Sequence, residues 1–468
     1  MLRSSATDPG SLRDPHSAVV VQGRFVYRFF RGPASADIAA ARSSGLLDRL
    51  VERRAVLPYE LVSHDERPSG WLGLEADAVV LRQPRLAFIS YPYEWPFGLL
   101  KRAALFHLDI LRTALEAGLI LKDSSAYNVQ FEGTRPVFID LGSFARLEPG
   151  IPWRGYAQFC AMFLNPLLLQ AAVGLPFQSW LRSSLEGITP DELARLLPLR
   201  QKLRPSIFTN VVLQSQLQRR FGGLDPDELA IRPRVELPAI LRQVERLRGL
   251  VESLRAPAST STWSGYEDNT SYSAAARTAK AGFVERVVTE LEPDIVWDLG
   301  CNRGEYALIA AKHSRAVVAI DGDPKVVELM LSRLSPETRV LPLVMDLRNP
   351  SPEQGWGQRE RHGLKERGKA DVVLALALVH HLRFGANVPL GAISAWLAGI
   401  ARAGVVEFVP RSDPMVRRLL AWREDVFDDY DEETFETELR RHFVITATES
   451  LPESTRKLYS VRANADAA

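Results

Sequence analysis

With 468 residues, 46% of them apolar and 25% charged, the chain has the composition of an ordinary globular protein, and it is longer than a single hydrophobic core usually grows, so two domains are expected. A formal net charge of +1 leaves no strong overall field for holding nucleic acid or an anionic membrane in bulk, which argues against a nucleic-acid acceptor. The two cysteines, Cys160 and Cys301, lie far apart; they argue against a disulfide framework, fit a reducing compartment and make the cytoplasm the expected location.

In chain order, residues 1–15 carry charges and turn formers without the apolar core of a secretory signal, and read as a disordered arm. The first domain is expected over 16–252. It opens with a hairpin-like segment, Val19–Phe30, followed by the strand-like Phe88-Ile-Ser-Tyr-Pro-Tyr93 and a helix through Leu111–Leu119. The apolar stretch Phe159–Phe177 is broken by Asn165-Pro166 and Gln170. A membrane span needs roughly 20 uninterrupted apolar residues, so two buried helical pieces and no span are expected. An amphipathic helix with apolar residues at Leu237, Leu241, Val244, Leu247, Val251 and Leu254 is expected to pack on its own domain. The small, polar stretch 253–262 follows as a linker, and a second domain runs over 263–468. The eight histidines show no metal-ligand spacing and the cysteines form no CxxC pair, so no metal site is expected.

Beyond the linker, strand and helix patterns alternate. Strands are expected at Asp294–Gly300, Ala316–Asp321, Val340–Asp346, Ala370–Val379 and Gly404–Val409, with helices at Glu305–His313, Pro324–Leu334, Val388–Ala401 and Pro414–Trp422. Strands buried on both faces and joined by helical crossovers imply a parallel, doubly wound sheet. Phe443–Leu451 and Lys457–Arg462, joined by the turn Pro452–Thr455, close the chain as a hairpin that adds an antiparallel strand. Five βα steps and a closing hairpin resemble the seven-stranded class I methyltransferases.

The first of these strands runs into Asp298-Leu-Gly-Cys-Asn-Arg-Gly304 and then a helix, which is where an open α/β sheet leaves its ligand crevice. Gly300 and Gly304 would let the backbone turn sharply. A dehydrogenase places a second glycine after the first to admit a pyrophosphate; here Cys301, Asn302 and Arg303 follow Gly300, as in a loop that holds a cofactor with an amino-acid tail. A tight turn with no ligand is the alternative. Asp321, about 20 residues on, ends the second strand, where a carboxylate can accept hydrogen bonds from ribose hydroxyls. Asp346 ends the third. The methyltransferase resemblance implies S-adenosylmethionine as cofactor, with Asp298, Gly300, Cys301, Asn302, Gly304, Asp321 and Asp346 around it and Asp346 facing the adenine amino group. His380 and His381, at the exit of the fourth strand, are candidate general bases, and Glu407 is the next candidate. One histidine buried and hydrogen-bonded, the other only lining the pocket, is the alternative. Gly355–Arg361 reads as a lid or as a solvated charged loop. Tyr266 and Tyr272 close over the cofactor or pack on the first helix.

The segments A-L-A-L-V-H-H-L and V-V-E-F-V-P-R-S-D-P resemble a bacterial group of methyltransferase-like proteins that includes nodulation-type proteins. That resemblance extends into the first domain through F-I-S-Y-P-Y-E-W, L-K-D-S-S-A-Y-N-V-Q-F and R-P-V-F-I-D. In the first domain, Leu121–Gln130 followed by Val137–Gly142 also resembles the catalytic segment of protein and aminoglycoside kinases. Asp123 matches the base, and Asn128 and the Asp140 of D-x-G match the metal ligands. The departures are Lys122 in place of arginine, Leu121 in place of histidine, no glycine-rich loop, and only Arg28 for the phosphate-pairing lysine, so a kinase-like module with lost or altered catalysis is expected. An active small-molecule kinase, or an unrelated helical domain carrying a coincidental D-x4-N, are the alternatives for this domain. The expected architecture is an α+β kinase-like domain at the N-terminus and a Rossmann-like methyltransferase domain at the C-terminus. The expected function is methyl transfer to a small-molecule or glycan substrate, with the first domain used for recognition. A cofactor-binding scaffold without turnover, or a bifunctional kinase and methyltransferase, are the alternatives, and the sequence leaves the oligomeric state open.

Overall fold

The computed structural model describes residues 7–67, 78–221, 234–257, 272–421 and 426–464. The chain forms two compact units: residues 1–131, 136–258 and 353–361 in the first, and 132–135, 259–352 and 362–468 in the second. Half of the expected linker, residues 258–262, together with Trp263, Tyr266 and Trp422, lies outside the described residues.

In the first unit, β1 (Ser17–Gln22) and β2 (Phe25–Phe30) form a hairpin about Gly23, whose φ of +58° suits a residue without a Cβ. The helices α1 (Pro33–Ser43) and α2 (Leu46–Glu52) follow, then β3 (Glu60–Leu61) and β4 (Val79–Pro84), giving an antiparallel sheet of order β1-β2-β4-β3. The segment Phe88–Tyr93 is irregular instead of strand-like, because its polar backbone is satisfied by a side chain: Gln130 accepts from Ser90 N and donates to Ser90 O. The helix α3 (Phe97–Glu116) buries Leu100, Ala104, Leu108, Leu111 and Leu115, a 3.6-residue stripe. Next come β5 (Leu119–Leu121), the hairpin of β6 (Val129–Glu132) and β7 (Arg135–Phe138), and β8 (Phe144–Arg146), which pairs back on β5.

Residues 7–15 are not a disordered arm: Asp8 N donates to Val19 O at 2.7 Å, Asp8 caps a turn at Pro9–Ser11, and Asp14 accepts from the backbone of His16 and Ser17. The aspartates and prolines that suggested disorder build side-chain-capped turns. Phe159–Phe177 is not two helical pieces either, since Tyr156–Val173 is one helical run with wide turns at Cys160–Leu164 and Leu169–Val173. Its wide turn ahead of Pro166 accommodates the missing N–H. By length and composition this run could cross a membrane, and more than half of it is buried in the molecule. The helix Leu237–Ser253 lies on α3 and buries Ile240, Val244, Leu247 and Val251.

The second unit holds β9 (Ile295–Leu299), β10 (Ala316–Asp321), β11 (Val340–Val344), β12 (Ala370–Ala375), β13 (Ala401–Phe408), β14 (Phe443–Ser450) and β15 (Lys457–Ala463). They form one sheet of order β11-β10-β9-β12-β13-β15-β14. The first five are parallel, and β15 runs antiparallel between β13 and β14. Counted within the unit the order is 3-2-1-4-5-7-6, that of the class I methyltransferases. The crossovers leave β9 in opposite directions, so a crevice opens at the carboxyl ends of β9 and β12. β12 stops at Ala375 and not at Val379, because Ala377 takes a φ of +52° and turns the chain.

Candidate active site

The turn after β9 is built by three residues with positive φ: Gly300 (+73°), Asn302 (+49°) and Gly304 (+81°). Ile320 O receives the N–H groups of Gly300 and Cys301 at 2.8 and 3.0 Å, which binds the turn to β10. Gly304 is required twice over, by its dihedral and because a Cβ there would stand 2.3 Å from Sδ of the buried Met330. Asn302 is the kind of non-glycine residue that tolerates this left-handed region.

Asp298 is 1% exposed at the end of β9. Burial pushes its carboxyl up to about 7, with Lys280 opposing the rise and Asp321 adding to it. Its Oδ2 has no hydrogen-bond partner among the described residues, and the same holds for the buried Oδ1 of Asn302. Asp321 Oδ2 accepts from Asn302 N at 3.0 Å and Oδ1 from Asp323 N at 2.9 Å, while loss of hydration raises its pKa. Cys301 lies close enough to feel both carboxylates; its thiol is raised well above the usual range, by burial first and then by Asp298 and Asp321. Asp346 stands two residues beyond β11, beside Gly322, and is engaged by its neighbour: Arg348 donates from its backbone and pairs with the carboxylate at 2.8 Å.

On the side of β12, the rings of His380 and His381 pack with centroids 4.2 Å apart and planes tilted by 37°. His380 is fully buried, and both of its ring nitrogens lack partners among the described residues. Burial holds its pKa well below the usual value, helped by His381, Arg456 and Lys280; burial and then Arg456 lower His381 to about 4. Both rings are therefore neutral near pH 7 and weaker bases than an ordinary histidine.

Glu407 is not free to act as a base. Its Oε2 lies 2.7 Å from Lys280 Nζ, and its Oε1 accepts from Tyr272 Oη at 2.5 Å, with Arg456 at 3.8 Å. Arg456 is held in turn by Asp413 at 2.7 Å, and its guanidinium lies 4.2 Å over the Tyr272 ring. Tyr272 therefore anchors this buried ion network. Sequence reasoning missed Lys280, Arg456 and Asp413. Lys280 had a readable signal, since it shares a helical stripe with Ala276, Phe283 and Val287 where only an apolar or paired side chain belongs.

In the first unit, Asp123, Asn128 and Asp140 flank the β6–β7 hairpin. Asp123 accepts from Ser125 N at 3.0 Å, and Asp140 caps its own turn through Gly142 N at 3.1 Å. Desolvation pushes Asp140 up to about 6, with Arg28 opposing and Asp123 and Asp14 adding. Asn128 Nδ2 is buried without a partner among the described residues. The loop Gly355–Arg361 is pinned within this unit: Glu360 accepts from Arg13 Nε at 2.7 Å, and Arg361 stands 4.2 Å over the Tyr127 ring. Among the described residues no group of three or more His, Cys, Asp or Glu side chains is placed to hold a metal ion.

No family model matches the chain. Among solved structures, the N-methyltransferase NodS of Bradyrhizobium japonicum WM9 is 13% identical with a TM-score of 0.31, covering 40% of this chain and 96% of that one. The magnesium protoporphyrin IX methyltransferase of Synechocystis PCC 6803, with bound S-adenosylhomocysteine, is 20% identical with a TM-score of 0.30, covering 40% of this chain and 85% of that one. At such scores these likenesses carry no weight beside the strand order itself. Nodulation protein NoeA of Rhizobium meliloti (strain 1021) is 37% identical over 457 residues, which is 96% of this chain and 95% of that protein. Identity at that level along almost the whole of both chains places this protein in the NoeA family.

Proposed function

We propose that the chain is an S-adenosylmethionine-dependent methyltransferase acting on a small-molecule or glycan acceptor, with a kinase-like first unit used for recognition. The observation that carries this reading is the set of buried polar groups left unpaired at the carboxyl edge of a 3-2-1-4-5-7-6 sheet: Asp298 Oδ2, Asn302 Oδ1 and both nitrogens of His380. Each such group costs roughly 1–3 kcal/mol when unpaired, and a ligand rich in hydrogen-bond donors relieves that cost.

Asp298 and the backbone of the turn Gly300–Gly304 would hold the amino-acid end of the cofactor, Asp321 the ribose hydroxyls and Asp346 the adenine amino group. S-adenosylmethionine held there would supply an electrophilic methyl group. The chain's task is then to align the acceptor and take its proton. An acceptor O–H becomes far more acidic as its oxygen gains the methyl group, so for transfer to oxygen a base as weak as buried His380 or His381 suffices late in the step. The network of Lys280, Glu407, Tyr272 and Arg456 fixes the walls of the site and takes no proton.

The kinase-like reading of the first unit rests on its antiparallel sheet followed by α3, and on the hairpin between Asp123, Asn128 and Asp140. The electrostatic neighbour of Asp140 is Arg28. Recognition without phosphoryl transfer suits that arrangement. The test is to incubate the full chain with S-adenosylmethionine and a panel of amines, sugars and lipid-linked glycans, and to follow S-adenosylhomocysteine. Acceptor-dependent release is expected. Tight cofactor binding with no release from any acceptor would leave a binding protein, and failure to bind the cofactor at millimolar concentration would remove the whole assignment.

A further inference from the structure

Between Glu192 and Asp225 the sequence carries six arginines and lysines and no carboxylate, in a chain whose net charge is only +1. The same stretch of the first unit holds six of the fifteen large apolar side chains that are exposed among the described residues: Leu196, Leu199, Leu203, Phe208, Leu213 and Leu217. Leu199 and Leu203 are 74% and 72% exposed, matched among those residues only by Trp356. They stand four residues apart on one helical turn, Leu199–Lys202 with its cap at Leu203, and so share a face. Leu197 and Ile207, 3% and 1% exposed, anchor the turn on either side, so the two outward leucines are held out by a fixed backbone. Arg200, Lys202 and Arg204 flank them. Arg195 and Arg219 are spent on Asp191, whereas no acidic partner among the described residues pairs with Arg200, Lys202 or Arg204.

We propose that this face docks on an anionic lipid bilayer. Exposed leucines ringed by cations match a surface that offers hydrocarbon and negative charge together. A nucleic acid would satisfy the cations and leave the leucines in water. A second copy would bring like charges together across a two-fold axis. The low net charge of the whole chain does not oppose this, because screening confines the interaction to within about 10 Å of the patch. The proposal is independent of the methyl-transfer reading.

The test is co-sedimentation of the full chain with phosphatidylcholine vesicles, with and without phosphatidylglycerol. Binding only to the mixed vesicles is expected. The triple variant Arg200→Glu, Lys202→Glu, Arg204→Glu should lose at least about 100-fold in partition, at roughly fivefold per basic side chain. Leu199→Gln with Leu203→Gln should weaken binding at least about tenfold and leave the thermal unfolding curve in place, since neither side chain packs in the core. Equal binding to neutral vesicles, or unchanged binding in the leucine variant, would overturn the proposal. So would a lipid-free dimer that the leucine variant dissolves, which would make the face an interface between copies.

Discussion

Lys280 and Glu407 meet at 2.7 Å with side-chain exposures of 3% and zero, joining the helix Ala274–Leu291 to β13 inside the second unit. A pair so deeply buried adds little net stability, because desolvation of both ions offsets their attraction. Removing one partner is another matter. Lys280→Met should destabilise the unit by about 3–5 kcal/mol, since Glu407 keeps only Tyr272 and the more distant Arg456. Urea unfolding followed by far-UV circular dichroism measures this, and a loss below about 1 kcal/mol would mean that the network relaxes around the vacancy.

Asp321 ties the end of β10 to the glycine turn through Asn302 N at 3.0 Å. Asp321→Ala should weaken S-adenosylmethionine binding by roughly 1–3 kcal/mol with the fold intact, the range for donors left without an acceptor. Calorimetric titration gives the value. An unchanged affinity in a well-folded variant would place the ribose elsewhere.

Asp298 makes the stability of the second unit depend on pH. Its folded pKa is about 7, against an ordinary value near 3.8. Between about pH 4 and pH 7 the folded state keeps a proton that the unfolded chain has released, so the Asp298 contribution falls as pH rises through that window. Above it, the buried carboxylate is charged at the full cost. Asp298→Asn removes the titration and should gain on the native protein by a few kcal/mol between about pH 4 and pH 7, at about 1.4 kcal/mol per pH unit, and hold that gain above about pH 7. Paired unfolding curves across that range show it, and a difference independent of pH would mean that Asp298 is ionised throughout. Cofactor affinity should fall in the same variant, separating stability from binding.

The second unit was legible because each of its signals is local. Apolar runs bounded by turn residues marked the strands, and Asp298, Asp321 and Asp346 marked their carboxyl ends. Where the reading failed, the cause was a partner distant in sequence. Glu407 looked available as a base because nothing nearby announces Lys280, 127 residues before it, or Arg456 beyond it. His380 and His381 looked well matched to neutral pH, yet burial lowers both, with His381, Arg456 and Lys280 adding at His380 and Arg456 at His381. In the first unit the turn chemistry of residues 7–15 was visible, but turns and disorder share a composition, and only the pairing with β1 tells them apart.

The first unit should contribute little or no phosphoryl transfer. Asp123, Asn128 and Asp140 keep the spacing of a metal-binding catalytic segment, but the sequence has no glycine-rich loop, and the residue on β2 nearest the role of the phosphate-pairing lysine is Arg28. Arg28 is tied to Gln83 at 3.1 Å and acts electrostatically on Asp140. A cation already beside that carboxylate competes with any metal ion for its charge. Desolvation makes matters worse, because a carboxyl pushed up to about 6 is partly protonated in mildly acid solution, when a metal ligand must be ionised. Phosphoryl transfer depends almost wholly on positioning and charge stabilisation, so losing the phosphate cradle outweighs keeping the carboxylates. Magnesium-dependent nucleotide binding should accordingly be weak or absent, and methyl transfer should proceed at the same rate with and without ATP. Asp140→Asn should leave that rate unchanged within about twofold, as expected of a residue outside the chemical step. An absolute ATP requirement that vanishes with Asp140 would reverse the reading and make the protein both a kinase and a methyltransferase.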